Sequence, residues 1–80
     1  KNIFFGFEEK FNLIFLDPPY KDKNLDKLLC EIKSQKILNK NGVIILHRHK
    51  NELDIIPSEF KLIEQKVYGI SKIIFLSYLN

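Results

Sequence analysis

Apolar residues along the chain fall into short runs whose spacing changes from continuous to helical and back. Leu13-Ile14-Phe15-Leu16 is unbroken and is stopped abruptly by Asp17 and two prolines. A run with no polar alternation predicts a strand buried on both faces, as in a parallel sheet. Pro18 and Pro19 lack the N–H that a sheet ladder requires, so the strand must end at Asp17. Leu25, Leu28, Leu29 and Ile32 then recur at i, i+3, i+4, i+7, with Asn24 placed to cap and Lys33 and Lys36 near the carboxyl end. That spacing predicts an amphipathic helix whose polar face carries Asp26, Lys27, Glu31 and Lys33. Asn39 to Gly42 is a turn-forming cluster, and Val43 to Leu46 is a second apolar run rich in β-branched residues. Residues 51–59 are polar, contain Pro57, and read as a loop with room for one helical turn. Phe60 to Tyr68 and Lys72 to Tyr78 are two further strand candidates, separated by Gly69-Ile70-Ser71. So short a connection joins only antiparallel strands, which predicts a terminal hairpin.

Strand, helix, strand in this order is a βαβ unit, so the predicted class is α/β. The right-handed crossover of such a unit puts the carboxyl ends of both strands, Asp17 and the region of His47, on one edge of the sheet. Eighty residues make one small domain at most, with a correspondingly small core. The first apolar residues, Ile3, Phe4, Phe5 and Phe7, have little local structure to pack against, and the chain opens at Lys1. Residues 1–80 are therefore expected to be part of a longer catalytic domain. A single cysteine, Cys30, excludes a disulfide framework and adjoins the apolar stripe of the helix as a packed thiol. A reducing, cytoplasmic setting fits this usage. No metal-ligand cluster is visible, and no apolar run approaches the length of a bilayer span, so neither a metal nor a membrane is expected. The formal charge of +3, nearly all of its cations lysine, agrees with a polyanionic partner without demonstrating one.

The informative feature is Asp17-Pro18-Pro19-Tyr20. In open α/β sheets ligands bind beyond the carboxyl ends of the strands, and Asp17 stands at such an end. An exocyclic amino group of a nucleic-acid base is a poor nucleophile because its lone pair is delocalised into the ring. A carboxylate and a backbone carbonyl, each accepting one N–H hydrogen bond, would localise that pair and favour the positive charge that develops when the nitrogen takes up a methyl group. Asp17 offers the carboxylate and Pro18 the carbonyl. The two prolines fix φ and restrict the residue before them, keeping the carbonyl aimed with little freedom to lose. Tyr20 would offer a flat face to a base taken out of its stack. Read alone, Asp-Pro-Pro is ordinary strand punctuation. The apolar run before it, the aromatic after it and the βαβ unit around it favour the chemical reading.

The resemblance extends beyond the tetrapeptide. Phe11 to Tyr20, then Gly42-Val-Ile-Ile-Leu-His-Arg-His49, then Pro57 and Phe60, then Tyr68-Gly-Ile-Ser-Lys-Ile-Ile-Phe-Leu76, is similar to the carboxyl-terminal half of the bacterial 16S rRNA guanine-N2 methyltransferases of the RsmD type. The Asp-Pro-Pro-Tyr motif is also shared with adenine-N6 and cytosine-N4 DNA methyltransferases, whereas the later segments favour the rRNA family. The resemblance implies a seven-stranded Rossmann-like sheet to which this chain contributes strand four, the next helix, strand five and the hairpin of strands six and seven. It further implies S-adenosylmethionine as cofactor, 16S rRNA or a small-subunit precursor as partner, and catalytic contacts from Asp17, Pro18, Pro19 and Tyr20. The family's glycine-rich loop after the first strand and the acidic residue after the second, which hold the cofactor, find no match here. Gly6 and Gly42 do not form such a loop. A DNA adenine-N6 methyltransferase and a non-catalytic RNA-binding module are the alternative readings.

Three further positions are candidates for RNA contact. Lys21 and Lys23 follow the motif and could steer phosphate toward the cleft, or belong to a solvated loop. Arg48 lies in His47-Arg48-His49, where strand alternation puts the two histidines on one face and the arginine on the other. This strand end could face RNA phosphates or be an ordinary polar terminus, and a metal pair at His47 and His49 lacks a third ligand.

Overall fold

The computed structural model describes residues 11–18 and 25–79. Strand β1 (Phe11–Leu16) leads to helix α1 (Leu25–Ser34), then to β2 (Leu38–His49), β3 (Phe60–Tyr68) and β4 (Ser71–Tyr78). The strands form one sheet in the order β1-β2-β4-β3. β1 and β2 are parallel, whereas β4 runs antiparallel to both β2 and β3. The predicted strand, helix, strand and hairpin are all present. The first apolar residues of the chain and the Asn24 cap lie outside the described residues.

Helix α1 buries Leu25, Leu29 and Ile32 against one face of the sheet, where Leu16, Ile44, Leu46, Ile74 and Leu76 meet them. Each fully buried aliphatic side chain of this set contributes roughly 1.5–3 kcal/mol. Cys30, expected beside the apolar stripe as a packed thiol, is exposed on the solvent side of the helix. The helix ends without a glycine. Lys36 adopts a positive φ of 55°, Ile37 N–H donates to the Ile32 carbonyl at 3.3 Å and Lys36 N–H to the Lys33 carbonyl at 3.1 Å. This is the Schellman pattern, and Ile32 and Ile37 are both buried in the core beneath it. A lysine in the left-handed region is strained, so Lys36→Gly should raise unfolding stability by up to about 1 kcal/mol in a urea titration.

Two expectations about β1 and β2 are corrected. The apolar run of β1 is not buried on both faces: Leu16 is inside, but Leu13 and Phe15 are 58% and 61% exposed. The described residues supply one helical layer, and it covers the face that Leu16 shares with Ile44 and Leu46. The turn predicted at Asn39 to Gly42 is instead absorbed into a longer β2. β1 pairs Phe11 with Leu38 but Leu13 with Val43, so the turn-forming residues are taken up as an irregularity in the ladder. Asn39 Nδ2 bonds Asn12 Oδ1 across this irregularity. A Cβ on Gly42 would come within 2.5 Å of Leu38 Cδ1 and 3.0 Å of the Asn39 carbonyl oxygen. Because Leu38 is itself in the core, Gly42→Ala should cost about 1–3 kcal/mol, the scale of overpacking, in the same titration.

Residues 51–59 contain no helix, only turns and chain without regular structure. The hairpin turn is tighter than the sequence suggested: Tyr68 pairs directly with Ser71, leaving Gly69 and Ile70 as a two-residue loop. Gly69, at φ 56°, supplies the positive φ that such a loop requires at its first position. The extra paired residue brings Ser71 opposite His49 on the neighbouring strand. Strand β3 forms an edge of the described sheet, along which exposed Lys61, Glu64 and Lys66 are interspersed with exposed Leu62, Ile63 and Val67. At the other end of the core Tyr78 packs on Phe60 and lies under Lys33 Nζ, 4.6 Å from its ring centre. Burial pushes its phenol above the ordinary value, with the Leu38 backbone pulling the other way.

Candidate active site

The carboxyl ends of the parallel pair meet on one edge, as the βαβ order requires. Asp17 follows the last residue of β1, and His47 lies near the end of β2. Their side chains join: His47 Nδ1 and Asp17 Oδ1 are 3.0 Å apart. On its other side His47 Nε2 lies 2.9 Å from Ser71 Oγ at the start of β4. A line of three polar side chains thus runs from the end of β1 across β2 to the start of β4. Alternation along β2 places His47 on the face opposite buried Leu46 and Arg48.

A cleft of about 340 Å³ opens here, lined by Asp17, Pro18, His47, Arg48, His49, Ile70 and Ser71. The Asp17 side chain is 59% exposed and that of His47 36%, so the pair borders solvent. His49, on the same face, accepts a hydrogen bond at Nδ1 from the Asn51 N–H at 3.1 Å. Among the described residues no group of three or more His, Cys, Asp or Glu could hold a metal ion, and no helix is long and apolar enough to cross a membrane.

Of the residues singled out in the sequence, Asp17 and Pro18 stand at this cleft. Pro19, Tyr20, Lys21 and Lys23 lie outside the described residues. Arg48 requires correction. It was a candidate for RNA contact at a strand end, yet it is only 1% exposed. Its Nε and a terminal nitrogen each donate to an Asp54 carboxylate oxygen at 2.9 Å, and Glu52 approaches at 3.5 Å. The guanidinium is committed to these acids and is not presented to a ligand. Parity along β2 carried the signal, because Arg48 shares the side of Ile44 and Leu46 and a cation there needs a nearby carboxylate. The Asp17–His47–Ser71 line was not anticipated. Only the shared edge of Asp17 and His47 pointed to it, since the partnership with Ser71 depends on the hairpin register.

Comparison with known proteins places this edge in a family. Residues 5–77 match the profile of the family described as Conserved hypothetical protein 95. YlbH of Bacillus subtilis, provisionally named an rRNA methyltransferase, is 34% identical over 65 residues, which are 80% of this chain and 35% of that protein. Ribosomal RNA small subunit methyltransferase D of Buchnera aphidicola is 28% identical over 57 residues, 71% of this chain and 30% of that one. A crystal structure of a Haemophilus influenzae protein, provisionally described as a methylase, superposes with a TM-score of 0.75 at 24% identity, covering 90% of this chain and 45% of its own. The chain therefore spans about a third of these two sequence relatives and less than half of that structure. The fold is that of part of a Rossmann-like methyltransferase, with β1, α1, β2 and the hairpin in the predicted order. By the extent of the profile match, the chain belongs to the Conserved hypothetical protein 95 family, the RsmD-type methyltransferases.

Proposed function

We propose that residues 1–80 form the target-base-binding part of an S-adenosylmethionine-dependent methyltransferase that modifies the exocyclic N2 amino group of a guanine in 16S rRNA. The observation that carries this reading is the solvent-bordering carboxylate of Asp17, followed directly by Pro18, at the carboxyl end of a parallel strand and on the rim of a cleft. Asp17 accepts one amino N–H and the Pro18 carbonyl accepts the other, so the nitrogen lone pair is drawn out of the ring and the charge developing on nitrogen meets a preplaced anion. Pro19 holds that carbonyl in place and Tyr20 stacks on the extruded base. Lys21 and Lys23 attract the phosphate backbone, as cations beside a nucleic-acid site do. The rRNA names of YlbH and the Buchnera protein support RNA as the polymer, and the name of the latter supports the small subunit as its source.

S-adenosylmethionine would supply the methyl group. The described residues do not build a site for it: Gly42 is packed against Leu38 and Asn39, and Gly69 is a hairpin turn. What they do build acts on the acceptor, so we assign the chain to that half of the reaction, within a longer catalytic domain working in the cytoplasm. The whole protein as the cell makes it, given labelled S-adenosylmethionine, should label RNA of immature small subunits and leave duplex DNA unlabelled. Label in DNA alone would favour adenine-N6 methylation, and RNA binding with no label in either polymer would favour a non-catalytic module.

A further inference from the structure

The geometry points to a positioning role for His47: it fixes the orientation of the Asp17 carboxylate while Ser71 fixes the imidazole. This inference rests on the proposed role of Asp17. An ionised carboxylate only accepts, so at 3.0 Å from Asp17 Oδ1 the His47 Nδ1 must carry the proton and donate it. In the neutral ring Nε2 is then an acceptor, and the Ser71 hydroxyl donates to it across 2.9 Å. If the ring is charged, Nε2–H donates and the hydroxyl oxygen accepts, so the ring is held in either state. The tautomer is set by the carboxylate and the ring plane by contacts at both ends.

Only one carboxylate oxygen is used by this contact, which leaves the other to accept an amino N–H. Without the donor at Nδ1, a side chain as exposed as Asp17 rotates freely about its χ angles, and its acceptor direction is lost. The placement of the three residues favours a device over chance. Asp17 directly follows β1, His47 lies on β2 and Ser71 opens β4; the three strands are adjacent in the sheet, so the pairing of β2 with β1 and β4 brings the residues together. Register supplies Ser71: a hairpin loop one residue longer would leave Ser71 in the turn. An ion pair between partly exposed groups adds little to folding, so the contact is expected to register in turnover rather than in melting.

The test compares His47→Leu, His47→Asn, Ser71→Ala and Asp17→Ala in the whole protein, with kcat and KM for small-subunit RNA and the thermal midpoint measured for each. Leucine removes both ring contacts; asparagine can return a donor near the Nδ1 position. We expect His47→Leu to lower kcat by roughly tenfold or more, the scale of a small misplacement at a reacting centre, with KM within about twofold. His47→Asn should recover most of that loss, and Ser71→Ala should fall between them, all three melting close to the parent. Full turnover in His47→Leu, or an asparagine variant as slow as the leucine one, would overturn the inference. Asp17→Ala separates the two levels: if it is inactive while His47→Leu is normal, only the role of His47 fails. If Asp17→Ala is normal, the reading beneath it fails as well.

Discussion

Arg48→Ala should lower the unfolding free energy by about 3–5 kcal/mol, the effect of stranding a buried charge by removing its partner. The guanidinium is enclosed, bidentate on Asp54 and close to Glu52, and Asp54 is itself nearly buried. Deleting the cation leaves carboxylates in a site that water reaches poorly. On the same face of the sheet, Lys72 of β4, paired with Arg48, donates its Nζ to the Glu52 carbonyl oxygen at 2.6 Å, a second tie between the sheet and residues 50–57. The two ties account for a segment without regular structure being held against the sheet edge. A urea titration of the whole protein measures the loss. Because the pair also carries a desolvation cost, Arg48→Met combined with Asp54→Leu should be less damaging than Arg48→Ala alone. A single substitution that leaves the midpoint unchanged would show that the pair carries no such energy.

Asp17→Ala should cut turnover by at least about a hundredfold, corresponding to the removal of one preplaced electrostatic contact. The expected pattern is a fall in kcat with little change in affinity for S-adenosylmethionine, since the residue is assigned to the amino group being methylated. Asp17 is exposed and follows the last residue of β1, so the substitution removes no core packing and the thermal midpoint should hold. Near-normal turnover would refute the role.

Much of this was legible in the chain because local physics decided it. Two prolines can only end a strand, the Leu25–Leu29–Ile32 spacing can only make a helical stripe, and Gly69 marks the only place where the last two strands can reverse. The errors arose where a distant partner decides. Leu13 to Leu16 reads as doubly buried, but burial depends on layers, and the described residues cover only one side of β1. Asn39 to Gly42 carries turn chemistry, yet pairing with β1 and the close approach of Gly42 to Leu38 draw it into β2. Arg48 was a candidate for RNA contact because it stands at a polar strand end, yet its parity with Leu46 placed it inside. The partnership of His47 with Asp17 and Ser71 spans β1, β2 and β4, so no short window of sequence contains it.

The most direct measurement is the identity of the methylated nucleoside. Small-subunit RNA labelled by the whole protein with methyl-labelled S-adenosylmethionine can be digested to nucleosides and resolved by chromatography with mass detection. Label that elutes with N2-methylguanosine, and disappears when Asp17→Ala replaces the parent protein, is the expected result. Label on any other nucleoside, or N2-methylguanosine formed equally well by the Asp17→Ala protein, would contradict it.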